Sequence, residues 1–152
     1  MPSFQTKNFD VISYSEDSVV EFPNGLPGFD AMRCFLALQF EDSRPLVFLQ
    51  SLEDPELCFL TFPIGVVESN YRLSVNAEER QQIGLPLSRP LRIGEDVLCL
   101  VVVSLRESGP TANLLAPVVI NLGNRKAIQT IAADSGYSHQ HPLEPEEVPL
   151  CS

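Results

Sequence analysis

The sequence predicts an all-β protein, mainly antiparallel and shaped as a small barrel, with one or two short helices. Three observations carry that expectation. Short apolar runs bounded by turn residues recur along the whole chain, which is the spacing of antiparallel strands. Thirteen prolines and eight glycines punctuate the 152 residues too often for a helical bundle or coiled coil. About nine short strands in one chain must stack as two sheets or curl into a barrel, and closure also removes exposed edges. A chain of this length with 44% hydrophobic residues has material for one real core, without metals or cross-links.

The elements follow in order. Residues 9–14 and 19–22 read as strands, the second closed by Pro23-Asn24-Gly25-Leu26-Pro27-Gly28. Asn-Gly supplies positive φ and both prolines fix φ, so that segment is a rigid bend. Residues 35–40, 46–52 and 57–62 are strands separated by the polar loops Glu41-Asp42-Ser43-Arg44-Pro45 and Glu53-Asp54-Pro55-Glu56, which together hold five acids. Residues 71–75 form a weaker strand. Asn76 then stands as the cap of a short helix with Glu78 and Glu79 in its first turn, stopped by Gly84 and Pro86. Residues 97–103 are an unbroken apolar run rich in β-branched types, the pattern of a central strand covered on both faces. Residues 118–122 and 125–131 flank Gly123-Asn124, a two-residue hairpin signal. From His139 onward the composition turns to three prolines and three glutamates, so residues 1–143 are expected to form one domain and 144–152 an acidic, Pro-rich flexible tail.

Charge and cysteine usage narrow the function. Twenty acidic residues against ten basic ones give a net charge of -10, a field that repels phosphodiester backbones and speaks against direct nucleic-acid binding. The N-terminal residues lack the apolar stretch of a signal peptide, and nothing reaches the length of a membrane span, so a cytoplasmic location without membrane contact is expected. Cys34, Cys58, Cys99 and Cys151 form no CxxC pair. Cys58 and Cys99 lie in apolar runs, where a thiol behaves as a small buried hydrophobe, whereas Cys151 lies in the tail.

A search for chemistry finds no GxSxG, GxxxxGK, GxGxxG, HExxH or EF-hand pattern. The only histidines, His139 and His141, stand beside the tail, and a His-Gln-His pair without a second ligand pair is a poor metal site. The acidic pairs Glu53/Asp54, Glu78/Glu79 and Glu95/Asp96 read as solvated faces, not as acid and base. No catalytic residue, metal or cofactor is expected. The segment Ser108-Gly109-Pro110-Thr111-Ala112-Asn113-Leu114-Leu115-Ala116-Pro117 admits two readings. It is either a chain crossing in which Asn113 caps a turn and the alanines allow close packing, or part of a recognition surface. Gln50 and Asn121 carry the same ambiguity, since an amide on a strand also satisfies buried backbone.

Taken in order, Phe22-Pro23-Asn24-Gly25-Leu26-Pro27-Gly28-Phe29, Phe48-Leu49-Gln50-Ser51-Leu52, residues 59–63, Thr111-Ala112-Asn113-Leu114-Leu115-Ala116-Pro117 leading into Val119-Ile120-Asn121, Gln129, and Tyr137 with Pro142-Leu143 resemble the FliW family of flagellar assembly factors. The resemblance extends to Leu143. It implies a mainly antiparallel, barrel-like protein that works by binding and not by catalysis. Such a protein would bind newly made flagellin in the cytoplasm. When flagellin is scarce it would bind the RNA-binding regulator CsrA instead, relieving repression of flagellin translation. Asn113, Leu114 and Pro117, with Gln50 and Asn121, are the residues expected to shape the recognition surface. Glu53, Asp54 and Glu56 are expected to oppose CsrA by repelling RNA phosphates, at about 1 kcal/mol per weakly screened close charge pair. A monomer is expected when the protein is free.

The chain departs from the family pattern at Ser138-His139-Gln140-His141, where histidines stand in place of a fixed positive charge. The tail is an extension that is either inert or a repulsive arm. Two other classes compete with the binding factor. A small barrel enzyme or ligand carrier would need a deep pocket with convergent polar groups. A structural or sugar-binding module would need exposed aromatic platforms, which zero Trp and three Tyr do not favour.

Overall fold

A computed structural model describes residues 3–6, 10–14, 16–26, 28–29, 31–131 and 136–143. In chain order the elements are β1 (Ser3–Thr6), β2 (Asp10–Ser13), β3 (Val19–Glu21), β4 (Cys34–Leu38), β5 (Val47–Ser51), β6 (Cys58–Pro63), α1 (Ile64–Val67), α2 (Ala77–Gln82), β7 (Val97–Arg106), β8 (Gly109–Ala112), β9 (Val118–Asn121), β10 (Ala127–Gln129) and β11 (His141–Pro142). Strands β1 and β2 pair with each other. The other nine form one sheet in the order β10-β9-β7-β6-β5-β4-β3, with β8 pairing both β7 and β11. Every strand pair in that sheet is antiparallel.

The apolar run at 97–103 becomes the spine, as its composition predicts. Strand β7 pairs with β9 along Val97 to Leu100, with β6 from Leu100 to Val102, and with β8 from Val103 to Arg106. Side chains alternate across a strand, so Val97, Cys99, Val101 and Val103 enter one core while Leu100 enters another, with Leu98 and Val102 packed against it. The core around Leu100 draws Val20, Phe35, Val47, Val118 and Ala127 from strands across the whole sheet, including both edges, and is therefore the inside of the curl. The edges themselves meet at one place. Glu21, ending β3, bridges to Lys126 beside β10, and its N–H donates to the Arg125 carbonyl at 3.0 Å. The sheet is thus strongly curled without a continuous closing ladder.

The other face of β7 is covered by residues 64–85, which carry both helices, and by Leu114 and Leu143. Helix α2 starts as expected, with the Asn76 Oδ1 accepting from the Glu79 N–H at 2.8 Å. It is terminated at Gly84, which has φ +73°. In the bend after β3, Gly25 takes the positive φ of 71° that Asn-Gly predicts.

Two expectations are revised. Residues 71–75 form no strand; they lie extended over the second core, held by the buried side chains of Tyr71 and Val75. The Tyr71 hydroxyl donates to the Leu114 carbonyl at 2.7 Å, and the Arg72 N–H donates to the Tyr137 hydroxyl at 3.0 Å, so side chains replace a ladder. The hairpin after β9 is not a two-residue turn. Asn121 Oδ1 accepts from Gly123 N–H and Asn124 Oδ1 from Lys126 N–H, so two amides close a wider loop whose positive φ falls on Arg125 at 59°. The stretch from Gly109 to Ala112 adds a strand, because it folds back on the end of β7. Near the C-terminal end of the described residues a further short strand joins the sheet. There β11 pairs β8, and the Leu143 N–H donates to the Pro110 carbonyl at 3.0 Å.

Cys99 is buried, whereas Cys58 is only half-buried, and Cys34 likewise; all three are free thiols. Burial pushes the Cys58 thiol up to about 11 and the Cys99 thiol up to about 12. Residues 144–152, with Cys151, lie outside the described residues.

Candidate functional site

Beyond Val101 the inner face of β7 changes character. Val102, Ser104 and Arg106 alternate onto it, so an apolar strand ends in a polar lip. Around that lip lies a groove of about 250 Å³ that opens onto the core inside the curl. Its floor is Leu26, Leu49 and Val118, all buried; Phe29, Phe59 and Val102 form the walls; Ser104, Arg106, Asn113, Gln129 and His139 form the rim. Buried Phe22 and Leu26 anchor the bend that carries Phe29, and the Phe29 N–H donates back to the Leu26 carbonyl at 2.7 Å. Phe29 and Phe59 meet edge to face, centroids 5.5 Å apart at 80°. Phe29 remains 41% exposed, an aromatic wall left open to solvent.

The segment 113–117 builds the opposite rim. Asn113 Oδ1 accepts from the N–H groups of Leu115 at 3.1 Å and Ala116 at 3.0 Å, while its own N–H donates to the Val102 carbonyl at 3.0 Å. Gln129 Nε2 donates to the Ala116 carbonyl at 2.9 Å. Leu114 is buried behind the rim, its N–H on the Ser138 carbonyl. Pro117 is buried too, and its carbonyl accepts from Thr130 N–H at 3.1 Å. Asn113 therefore both caps a turn and faces the groove, while Leu114 and Pro117 shape the segment from inside.

Gln50 and Asn121 sit elsewhere and do structural work. Gln50 is wholly buried, and its Nε2 lies at 3.0 to 3.4 Å from the carbonyls of Ser51, Asp54, Pro55 and Leu57. It pins the acidic loop between β5 and β6 from below. Ser51 Oγ accepts from the N–H groups of Glu53 and Asp54, both at 3.0 Å. Glu53 Oε1 accepts from Arg33 and Cys34 N–H at 2.6 and 2.7 Å, tying the loop to the start of β4. Asp54 Oδ1 accepts from Glu56 N–H at 2.9 Å, and Glu56 itself is exposed. Asn121 Nδ2 donates to the Ile83 carbonyl at 2.7 Å, fastening the hairpin to the end of α2.

The remaining acidic pairs also have structural roles. Asp96 takes two hydrogen bonds from Arg89, at 2.7 and 2.8 Å, and one from Arg92 N–H, which hold its carboxyl well below the usual carboxylate range. Glu79 accepts from the Thr130 hydroxyl at 2.7 Å. Among the described residues no group of three or more His, Cys, Asp and Glu is placed to hold a metal, and no helix is long and apolar enough to cross a membrane. The described residues lining the groove include no carboxylate, thiol or lysine, so among them the paired titrating groups that acid–base chemistry needs are missing.

Sequence reasoning missed Arg106 and Ser104 at the lip, assigned no role to Phe29 or Phe59, and weighed His139 only as a metal ligand and as a departure from the family pattern. The alternation Val102, Ser104, Arg106 at the end of the apolar run was the available signal.

A family model described as FliW protein matches residues 3–143. The flagellar assembly factor FliW of Caldanaerobacter subterraneus subsp. tengcongensis is 31% identical over 139 residues, covering 91% of this chain and 90% of that protein. FliW of Syntrophomonas wolfei subsp. wolfei is 32% identical over 132 residues, covering 87% and 82%. A crystal structure of the flagellar assembly factor FliW superimposes with a TM-score of 0.80 at 31% identity, covering 97% of this chain and all of that one. The curled antiparallel sheet, its two short helices and the matched length agree: the chain belongs to the FliW family of flagellar assembly factors.

Proposed function

We propose that this protein is a non-enzymatic, cytoplasmic flagellar assembly factor that binds flagellin and, when flagellin is scarce, binds CsrA and antagonises its repression of flagellin translation. Family membership across residues 3–143 is the observation that carries this reading. The groove supports binding over catalysis, since its described lining residues offer no acid and base pair. At about 250 Å³ this groove is also smaller than the roughly 300–1,000 Å³ typical of small-molecule pockets.

For CsrA, the acidic loop is the proposed working surface. Gln50 and Ser51 hold its backbone in one shape, so Asp54 and Glu56 are presented without an ordering cost. Fixed negative charge brought near bound RNA raises the RNA's free energy, and the effect falls as salt rises. Asn113, Leu114 and Pro117 are proposed to shape the flagellin-facing surface, with Gln50 and Asn121 acting as supports.

The deciding experiment is gel filtration and titration of the purified protein with its cognate flagellin and CsrA, separately and together. The expected result is a monomer when free, a stable complex with each partner, and displacement of CsrA by flagellin. Binding to flagellin alone would remove the regulatory half, and binding to neither would reopen the carrier and enzyme readings. Glu56→Lys leaves intact the two hydrogen bonds by which Glu53 holds the start of β4. Unchanged displacement of RNA from CsrA by Glu56→Lys combined with Asp54→Asn would remove the loop from the mechanism.

A further inference from the structure

The chain carries twenty acidic residues against ten basic ones, yet no described residue lining the groove is acidic and the rim holds Arg106 and His139. Arg106 is exposed and makes no ion pair among the described residues, in a protein where carboxylates outnumber cations two to one. Its guanidinium is nevertheless positioned. With the Gln140 amide turned to satisfy both groups, the amide oxygen accepts from Arg106 Nη2 at 3.0 Å and Nη1 at 3.3 Å. Gln140 N–H is in turn held by Ser138 Oγ at 3.0 Å. An arginine has five N–H donors, so a neutral amide leaves donors and the full charge available. Beneath it lie Leu26, Leu49 and Val118, with Phe29 as an open wall.

We infer that this groove seats an amphipathic segment of the protein partner in which an acidic side chain stands beside apolar anchors, the anchors filling the groove and the carboxylate pairing with Arg106. The inference rests on the flagellin-binding reading above and names what the partner segment must carry. A free chain terminus is a poorer occupant. Terminal carboxylates are captured by clustered backbone N–H groups, and here the N–H groups of Phe29, Asn113, Leu115 and Ala116 are already bonded. A side-chain carboxylate instead matches a cation held on a long stem at the rim.

The test measures binding of full-length flagellin by wild type, Arg106→Gln, Arg106→Glu and the control Arg44→Glu, from low to high salt. Arg44 is exposed and lies on the connection between β4 and β5, outside the groove lining. Arg106→Gln should weaken binding about threefold to fivefold, as for an exposed pair. Arg106→Glu should weaken it about tenfold or more, since it sets like charges together. Arg44→Glu should bind as wild type, and the salt dependence should flatten in Arg106→Gln. Replacing the matching flagellin acid by Lys should restore binding to Arg106→Glu. If wild type binds flagellin and Arg106→Glu binds equally well, or if Arg44→Glu weakens binding as much, the groove inference is overturned and the proposed function stands. If wild type does not bind flagellin, both fall.

Discussion

Asn113 links the stability of the groove to its use, and two substitutions separate the roles. Asn113→Ala removes the oxygen that accepts from Leu115 N–H at 3.1 Å and Ala116 N–H at 3.0 Å, both partly buried. Each such bond contributes about 0.5–1.5 kcal/mol net, and because they share one acceptor the combined loss should be about 1–2 kcal/mol. In a chain of 152 residues that lowers Tm by roughly 3–8 °C, read by calorimetry or by circular dichroism melts. Asn113→Asp keeps an acceptor at the same place, so Tm should stay within about 2 °C of wild type. It also places a carboxylate on a groove whose described lining residues include none. Flagellin affinity should therefore fall about tenfold at low salt and recover toward wild type as salt rises. Asn113→Ala melting with wild type would refute the capping role. Asn113→Asp that folds normally and binds flagellin as tightly as wild type at low salt would refute the placement of an acidic segment in the groove.

Asn121→Ala leaves Gly123 N–H without its acceptor and strips a 2.7 Å buried bond from the Ile83 carbonyl, which keeps Asn124 Nδ2 at 3.1 Å. The urea midpoint should move by the equivalent of about 2–4 kcal/mol at unchanged m, and a loss below about 1 kcal/mol would contradict the anchoring role. The Asp96 carboxyl is held low first by Arg89 and then by Arg92 N–H. Its contribution is therefore present at neutral pH and lost as pH falls below the usual carboxylate range, and Asp96→Asn should flatten the acid limb of Tm against pH. Burial raises the Cys58 thiol to about 11 and the Cys99 thiol to about 12. The folded state then holds protons that the unfolded state releases, so stability should fall as pH rises from the ordinary thiol range toward 12. Alkylation mapped by mass spectrometry at pH 8 should leave Cys99 unmodified until urea unfolds the chain, and its fast modification in the native protein would contradict the burial.

What the sequence determined was set by chemistry acting between near neighbours. The run at 97–103 has one stable use, a strand covered on both faces, and it became the spine of the sheet. Asn76 with Glu79 three residues on caps α2 wherever the helix packs, and Gly25 after Asn24 turns the chain locally. The ordered motifs were also sufficient to indicate the family. Tertiary structure decided the rest, because the outcome depended on what lay alongside. An apolar pattern such as 71–75 serves a paired strand or a strap equally well, and here side-chain hydroxyls of Tyr71 and Tyr137 hold it as a strap over the core. The same holds for amides. Asn121 is a support because Ile83, 38 residues away, offers it a carbonyl, whereas Asn113 faces a groove because its N–H is held by the Val102 carbonyl of β7. The groove draws Phe29, Phe59, Arg106, Gln129 and His139 from separate parts of the chain. No local pattern encodes that meeting; the curl of the sheet, which brings distant strand ends to one mouth, creates it.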